Sequence, residues 1–458
     1  MLKSYNQEKL NALRSQFPFF TYEYFSYLLD SQGLKLKYHF NLSDRYHFFP
    51  ELFFPRKGWQ IDENGLEAIL PVLVFHIGMV ELISYWKAAC PAKVIIKPAG
   101  LLPSQVQWWN KLYHQGLGEF IYLNSLDLTG DSMMEIETRG EEPVSFKCKT
   151  DPDSGIIPVG GGKDSAVTLD ILKKEMKVLP LGLNTRKAMS AVIAAAGLSQ
   201  DNSFLISRTI DPLLLELNSK GFLNGHTPFS ALLGFISLLA AGLTGIKYIA
   251  LSNESSANEA TIPGTSINHQ YSKSLEFEMD FRTYVSTYIT RDIEYFSFLR
   301  PLSELQISWL FSRLSAYHKV FRSCNAGSDT DSWCGECPKC LFTFIILSPF
   351  LGIPGVKAIF GRNLLDEPVF SGIFDQLTGA AEEKPFDCIG TQNEINLALC
   401  ELIRQEGDRE LPLLLKNYKA SEQFGTFRNI SFRDSLKNYM PNCLPARFEG
   451  ILKNALYD

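Results

Sequence analysis

The stretch Ile156-Ile157-Pro158-Val159-Gly160-Gly161-Gly162-Lys163-Asp164-Ser165 decides the fold of this chain. Its first four residues form an apolar run that is typical of a strand buried on both faces. Three glycines allow backbone N–H groups to approach an anion closely, and the amphipathic run Ala166–Lys174 predicts a helix whose N-terminus attracts negative charge. We therefore expect a phosphate-binding loop between a parallel strand and a helix. A glycine-rich turn with only a structural role is the alternative.

Four further apolar runs follow and alternate with helical segments. Strands buried on both faces have this composition, and helices between them indicate crossover connections. The pattern therefore predicts an open α/β domain with a parallel sheet. Its remaining strands are predicted at Val178–Leu183, Phe204–Ile206, Tyr248–Leu251 and Tyr295–Leu299.

The region before the loop has a different pattern. The aromatic-rich stretch from Phe17 to Phe54 alternates in a way that is typical of antiparallel strands. A helix is predicted over Leu66–Cys90, a short strand over Val94–Ile96 and another helix over Ser104–Gly116. These elements indicate an α+β unit. The polar stretch Thr150–Gly155 contains Pro and Gly and favours a domain boundary.

Length, charge and cysteine content exclude several classes of protein. At ~150 residues per domain, 458 residues predict about three domains. The net charge of −6, without a run of five basic residues, disfavours nucleic acid as a partner. Nine cysteines, an odd number in a long chain, argue against a disulfide framework. The first ten residues lack the apolar core of a signal peptide, and the apolar stretch Ala231–Ile246 is too short to span a bilayer. We expect a cytoplasmic protein with no membrane partner, in which this stretch is a buried helix.

Four of the cysteines, Cys324, Cys334, Cys337 and Cys340, form a C-x9-C-x2-C-x2-C pattern. Four thiolates suit tetrahedral zinc, and two cysteines separated by two residues bind one metal without strain. The spacing resembles the structural zinc site of the 7-cyano-7-deazaguanine synthases. We expect structural Zn²⁺ here. An iron–sulfur cluster and four unrelated free thiols are the alternatives.

Three polar segments lie where a parallel sheet would bring them near a ligand. Ser252-Asn253-Glu254 follows the predicted strand Tyr248–Leu251, and ligands of open α/β folds bind outside the carboxyl ends of the strands. We therefore expect Ser252 and Asn253 to contact the ligand whose phosphates the glycine loop binds. Asn224–Thr227 precedes a long apolar helix, and Asn268–Ser274 opens the helix after it. Helix caps and turns are the alternative role, because Ser and Asn are common there.

The glycine loop matches neither the Walker motif nor Gly-x-Gly-x-x-Gly, and it is similar to the Ser-Gly-Gly-x-Asp-Ser loop of the PP-loop ATP pyrophosphatases. That family cleaves ATP to AMP and pyrophosphate and adenylates a substrate oxygen. Gly160 replaces the first serine of the loop, which removes one hydroxyl donor and leaves backbone donation. The resemblance implies that ATP is bound by Gly160, Gly161, Gly162, Lys163, Asp164 and Ser165.

These patterns together predict an α/β protein with three parts. Residues 1–150 are expected to form an N-terminal α+β domain. Residues 151–350 are expected to form an open parallel-sheet PP-loop domain, similar to the adenine nucleotide alpha hydrolases, which binds ATP and contains the four-cysteine site. Residues 351–458 are expected to form a mixed helical and loop region.

A closer resemblance extends over about residues 70–390 and covers both domains. The segments that carry it resemble the MurL family of UDP-N-acetylmuramoyl-L-alanyl-L-glutamate epimerases. The resemblance implies that the terminal L-Glu of UDP-MurNAc-L-Ala-L-Glu is inverted to D-Glu during peptidoglycan precursor synthesis, with ATP consumed to AMP and pyrophosphate and Mg²⁺ on the phosphates. The segments are Phe75–Ala89, Gly116–Phe120, Pro158–Ser165, Asn224–His226, Ser252–Glu254, Asn268–Ser274 and Lys384–Gly390.

Inversion needs an acid/base pair on opposite faces of the α-carbon. The polar segments offer His226, His269, Lys273 and Glu254, and their sequence does not rank them. Other PP-loop enzymes, either a deazaguanine nitrile synthase or an RNA-modifying enzyme, are the competing class, and a nucleotide-sensing module is a non-enzymatic alternative. Inversion without ATP would instead indicate a racemase with two catalytic cysteines, for which Cys324 and Cys388 are the candidates.

Overall fold

A computed structural model of the protein describes residues 2–128, 133–262, 265, 267–324, 326–327, 330–381 and 383–457. Within these residues, one mixed sheet of eleven strands runs through the molecule. Its strands are β1 (Phe19–Leu29), β2 (Gly33–Leu42), β3 (Tyr46–Phe48), β4 (Glu51–Pro55), β5 (Lys93–Ile96), β6 (Glu135–Thr138), β7 (Asp151–Pro158), β8 (Lys177–Leu183), β9 (Phe204–Thr209), β10 (Ile246–Leu251) and β11 (Glu294–Ser297).

The half of the sheet that contains β7 is parallel throughout, in the order β11-β10-β7-β8-β9. All five strands predicted from apolar runs are confirmed. The chain builds outward from β7 through β8 and β9 on one side, and through β10 and β11 on the other. Ligands of open α/β sheets bind at such a switch point, outside the carboxyl ends of the two central strands. This topology places the loop after β7 beside the segment after β10.

The other half of the sheet is mixed, in the order β4-β2-β1-β5-β6 with β3 beside β2. The predicted antiparallel pairing of the aromatic-rich strands is confirmed, since β1, β3 and β4 all pair antiparallel with β2. The two halves join where β4 pairs antiparallel with β9. A mixed α/β fold with a large, mostly parallel sheet is therefore confirmed, and the sheet is continuous between its halves.

The stretch Thr150–Gly155 does not form the expected linker, because β7 begins at Asp151. The register between β7 and β10 shifts between Ile246 and Tyr248, which accommodates the Pro-bearing start of β7 as an irregularity. The sheet thus passes through the predicted boundary near residue 150. The boundaries at 150 and 350 stay predictions.

Helices cover both faces of the sheet and make up most of the C-terminal region. The predicted helices before and after the glycine loop are confirmed with shifts of a few residues at their ends. The helices are Leu2–Gln16, Glu63–Trp86, Pro103–Gly116, Gly118–Leu123, Lys163–Leu172, Lys187–Ala195, Pro212–Ser219, Phe229–Thr244, Leu275–Tyr288, Glu304–Ser312, Pro338–Phe360, Ser371–Thr378, Gln392–Glu406, Leu413–Lys419, Glu422–Phe427, Phe432–Ser435 and Ala446–Tyr457.

Two of these helices, Glu63–Trp86 and Pro338–Phe360, are long and apolar enough to cross a membrane. Most of each apolar segment is buried inside the protein, which is the property of a core helix in a folded domain. The helix Glu63–Trp86 approaches β1 so closely that a Cβ on Gly78 would lie 2.1 Å from the hydroxyl of Tyr22. The helix Pro338–Phe360 is kinked at Gly352, where φ is +71°. The predicted buried helix after residue 228 is confirmed as Phe229–Thr244.

Candidate active site

A cavity of about 570 Å³ lies at the carboxyl ends of the parallel strands, beside the glycine loop. This volume is within the range of about 300–1,000 Å³ that is usual for small-molecule sites. Gly160, Gly162, Asp164 and Ser165 line it on one side. The predicted strand, loop and helix therefore border one cavity at the switch point of the sheet.

The glycine loop has a backbone shape that side chains would prevent. Gly161 has a φ of +93°, and a Cβ there would lie 2.9 Å from the backbone nitrogen of Met189. Gly162 is the N-cap of the helix Lys163–Leu172, and no side chain caps that helix. A Cβ on Gly160 would meet nothing within 4 Å. The loop thus leaves a helix N-terminus open to an anion in the cavity.

Lys163 takes a different position from its neighbours in the loop. Its side chain is 3% exposed, and the ammonium pairs with Asp164 at 2.5 Å and with buried Glu304. Burial alone would lower the pKa of Lys163, but the two carboxylates outweigh burial and raise it, so the ammonium stays charged. Lys163 is absent from the described residues that line the cavity. Its side chain therefore anchors the loop to the helix Glu304–Ser312.

The segment after β10 meets the loop as predicted, since Ser252, Asn253 and Glu254 all line the cavity. The amide of Asn253 donates to the hydroxyl of Ser297 at 2.9 Å, which ties β10 to β11. Ser252 Oγ is buried and has no hydrogen-bond partner among the described residues. Fully buried Arg300 donates to the carbonyl oxygens of Glu254 and Lys273. It therefore holds the segment after β10 and the segment Asn268–Ser274 together.

Positive charge concentrates in the cavity although the whole chain is acidic. Arg208 illustrates how a cation is fixed there: its guanidinium forms three hydrogen bonds of 2.9–3.1 Å with the fully buried carboxylate of Glu81. Such a basic cavity suits a ligand that carries several phosphates or carboxylates. The basic residues that line it are Arg186, Arg208, Lys273, Arg322 and Lys339, against the acidic residues Asp164 and Glu254.

A second cluster of side chains borders the same cavity and is built around Cys388. Lys273 donates from Nζ to Cys388 Sγ at 3.1 Å, and His269 lies close enough to this sulfur for their charges to interact. His269 Nδ1 pairs with Glu119 on its other side. His226 lies beside His269, with ring centroids 4.5 Å apart and ring planes tilted by 46°, and its Nδ1 lies 3.7 Å from Glu119 Oε2. Cys388 and Lys273 line the cavity, and the two histidines lie behind them.

The charges in this Cys388 cluster follow from its contacts. Burial raises the pKa of the Cys388 thiol, but Lys273, Lys339 and His269 outweigh burial and lower it to about 6. Burial lowers the pKa of His269, yet Cys388 and Glu119 outweigh burial and raise it to about 9. Burial and the neighbouring His269 lower the pKa of His226 to about 4. At neutral pH the cluster therefore holds a thiolate, an imidazolium and a neutral imidazole.

The four predicted zinc ligands come together beside the same cavity. Their sulfur atoms all lie within 4.8 Å of one another, and the pairs Cys324–Cys337 and Cys334–Cys340 are 3.7 Å apart. A tetrahedral site with bonds of about 2.3 Å to zinc has sulfur atoms about 3.8 Å apart, so the residues fit the metal. Arg322, two residues before Cys324, donates its backbone N–H to Gly161 O at 2.8 Å. The cysteine site is thus connected directly to the glycine loop.

Glu119, His226 and His269 also offer possible ligand atoms within 4.8 Å of one another. The hydrogen bond between His269 and Glu119 already accounts for this grouping, and we assign no metal to it. The catalytic roles predicted for His226, His269, Lys273 and Glu254 stay predictions, although these residues share one region. Sequence reasoning did not select Arg186, Arg208, Arg322 and Lys339, because no motif singles out these basic residues, and it named Cys388 only as a candidate for the alternative two-cysteine racemase.

Comparison with known proteins connects this site to one family. The family model for the MurL N-terminal domain matches residues 11–298, and the model for the MurL C-terminal domain matches residues 320–428. A Salinispora tropica protein is 36% identical over 339 residues, which cover 72% of this chain and 73% of that protein. A Xanthomonas oryzae pv. oryzae protein is 35% identical over 340 residues (71% and 73%), and a Micromonospora protein is 35% identical over 344 residues (73% and 76%). All three are named UDP-N-acetyl-alpha-D-muramoyl-L-alanyl-L-glutamate epimerase. No solved structure gives a significant match.

Proposed function

The chain belongs to the MurL family, and we propose that it epimerises the terminal L-Glu of UDP-MurNAc-L-Ala-L-Glu to D-Glu, with ATP converted to AMP and pyrophosphate. The observation that carries this proposal is the shared cavity, which is lined both by the anion-binding loop and by Cys388 and Lys273. The loop suits ATP, and the Cys388 cluster suits proton transfer at the substrate. The reaction belongs to peptidoglycan precursor synthesis and takes place in the cytoplasm.

The chemistry explains why an epimerase would consume ATP. Removing the α-proton next to a free carboxylate would place a second negative charge on the same group. Transfer of AMP to that carboxylate forms an acyl adenylate, whose carbonyl oxygen accepts the enolate charge, and pyrophosphate leaves. Deprotonation, reprotonation from the opposite face and hydrolysis then give D-Glu and AMP. The cavity's basic residues stabilise the phosphates and the leaving pyrophosphate.

Two metals are part of the proposal. Asp164 is a carboxylate on the cavity wall beside the loop, and oxygen ligands of this kind suit Mg²⁺ bound to nucleotide phosphates. Cys324, Cys334, Cys337 and Cys340 would hold a structural Zn²⁺. The zinc would fix the segment that contains Arg322, whose backbone N–H donates to Gly161 O. The metal would therefore support the shape of the glycine loop and would take no part in the reaction.

One assay tests the proposal. The protein is incubated in D2O with ATP, Mg²⁺ and UDP-MurNAc-L-Ala-L-Glu, while pyrophosphate, glutamate chirality and α-deuterium are measured together. We expect pyrophosphate, D-Glu that carries deuterium at the α-carbon, and no labelled L-Glu when ATP is omitted. Inversion or α-deuteration without ATP would refute the mechanism. ATP turnover that does not depend on the UDP-sugar would favour another PP-loop enzyme, and ATP binding without pyrophosphate release would favour a nucleotide sensor.

A further inference from the structure

We infer that the Cys388 thiolate is the base that removes the α-proton on one face of the adenylated glutamate, and that His269 and Lys273 position it. This inference rests on the proposed function and adds the residue that acts on the substrate. Cys388 lines the same cavity as Gly160 and Asp164, so its sulfur and the glycine loop can contact the same bound molecule. Cys388 belongs to a cluster of four interacting side chains and is not an isolated thiol.

The hydrogen bonds of the cluster show which member can accept a proton. Lys273 donates from Nζ to Cys388 Sγ at 3.1 Å, and His269, which pairs with Glu119 through Nδ1, interacts electrostatically with the same sulfur. These two cations act as counterions of the sulfur and do not themselves have a free lone pair toward the cavity. Cys388 and Lys273 are the members of the cluster that line the cavity, and of these two the sulfur of Cys388 is the proton acceptor. The cations also explain why the thiol is ionised at neutral pH.

The proton and the electrons of this step balance without another reagent. The thiolate takes the α-proton and becomes a thiol, and the C–H electron pair moves onto the carbonyl oxygen of the acyl adenylate as an enolate. A second group on the opposite face donates a proton to the α-carbon, and the electron pair returns from the enolate. Cys388 then loses its proton to solvent and regains the negative charge that Lys273 and His269 stabilise.

The test uses the full-length protein and separates adenylation from proton transfer. Cys388→Ser keeps the size of the side chain but replaces the thiolate with a hydroxyl that is not ionised at neutral pH. Cys443→Ser, at a cysteine outside the cavity lining, is the matched control. ATP–pyrophosphate exchange reports adenylation. Loss of α-deuterium in H2O from separately prepared L-Glu and D-Glu substrates reports the base on each face.

We expect Cys388→Ser to reduce inversion by about 10²–10⁴-fold while ATP–pyrophosphate exchange stays close to the wild-type rate. We also expect this variant to lose α-deuterium exchange from one epimer and to keep it for the other, because the opposite-face group is intact. A purely structural cysteine would affect both epimers equally. Iodoacetamide labelling of Cys388 in the wild-type protein should abolish inversion and also suppress α-deuterium exchange from one epimer. This second measurement tests the inference even if the Cys388→Ser variant folds poorly.

Other results would overturn the inference. Exchange retained for both epimers, or lost for both, would exclude Cys388 as a base on one face. Loss of ATP–pyrophosphate exchange in a folded Cys388→Ser variant would place the residue in nucleotide binding. Capture of a thioester between Cys388 and the substrate in the wild-type protein would make it a nucleophile. Absence of ATP–pyrophosphate exchange in the wild type would instead refute the proposed function itself, which is a distinct outcome.

Discussion

The glycine loop and the Cys388 cluster border one cavity but are encoded in opposite ways. The loop is six consecutive residues whose backbone shape follows from their own glycines and from the strand and helix on either side. The cluster joins Glu119 to His269 across 150 residues and Lys273 to Cys388 across 115. A local motif needs only local folding, whereas the cluster exists only when distant parts of the chain pack together. The loop can therefore be predicted from sequence, whereas the contacts within the Cys388 cluster cannot.

The largest expected effect comes from breaking the loop alone. Asp164→Asn and Ser165→Ala should each reduce pyrophosphate release by at least about 10³-fold, because both residues line the cavity beside the glycine loop that we propose binds ATP. The fold should be retained, since Glu304 still pairs with Lys163 when Asp164 is replaced. Asp153→Asn, at an exposed carboxylate at the start of β7, is the control and should turn over normally. Wild-type turnover in both loop variants would contradict the assignment of the loop.

The same contrast explains how much of the fold could be predicted. The five parallel strands were predictable because each is a short apolar run buried by helices on both faces. The start of β7 was not, because Pro152 and Gly155 give it the composition of a turn, and only pairing with β10 and β8 makes it a strand. The join of the two sheet halves through β4 and β9 also depends on tertiary pairing, and no local pattern signals it.

At the site, sequence predicted which residues meet but not what each side chain contacts. Lys163 has the position of a phosphate ligand in the motif, yet burial drives its ammonium to pair with Glu304, 141 residues away. Cys388 has no local pattern around it, because its partners lie on other segments. The Lys384–Gly390 segment that contains it was singled out only through the family resemblance. Sequence analysis named Cys388 only as a candidate for the alternative two-cysteine racemase, and no local pattern places Lys273 beside it.

Loss of the cysteine site should have the next largest effect. It tests whether the shape of the glycine loop depends only on the loop itself and the adjacent strand and helix. Cys337→Ser should remove the bound zinc and lower the Tm, because structural zinc contributes directly to folding. Since Arg322 hydrogen-bonds Gly161, the KM for ATP should also rise. Elemental analysis, thermal unfolding and ATP kinetics measure the three effects, with Cys443→Ser as the control. A wild-type protein with no zinc, or with iron and a visible absorption band, would contradict the assignment.

Glu304→Gln should have a smaller effect, on stability. It leaves the buried ammonium of Lys163 with only Asp164, and breaking one partner of a buried ion pair costs about 3 kcal/mol. The free energy of unfolding, measured with urea, should fall by that order. Glu216→Gln, in the exposed pair with Lys220, should leave it unchanged. If both variants were as stable as the wild type, the pair with Glu304 would not hold Lys163 in place. Lys163 would then be available to bind phosphate, as its position in the motif suggests.

The smallest expected effect concerns the cluster's electrostatics, through His269→Asn. Lys273, Lys339 and His269 together lower the pKa of Cys388 to about 6, and the side chain of Asp387 accepts the Cys388 N–H at 2.9 Å. The thiolate fraction, and so the rate of alkylation by iodoacetamide, should rise with pH through about 6 in the wild type. Replacing His269 removes one cationic donor, so this midpoint should move to higher pH, while Lys273 and Lys339 keep it below that of an ordinary thiol.

Mass spectrometry of the Cys388 peptide across a pH series measures this shift, and ATP–pyrophosphate exchange should be unchanged because His269 lies outside the cavity lining. His114→Asn, on the helix Pro103–Gly116, is the control and should keep the wild-type midpoint. The direction is decisive, because a His269 that does not stabilise the thiolate would leave the midpoint in place when it is replaced. An upward shift of the midpoint with unchanged adenylation would show that separate interactions maintain the glycine loop and the Cys388 cluster, although the proposed reaction needs both.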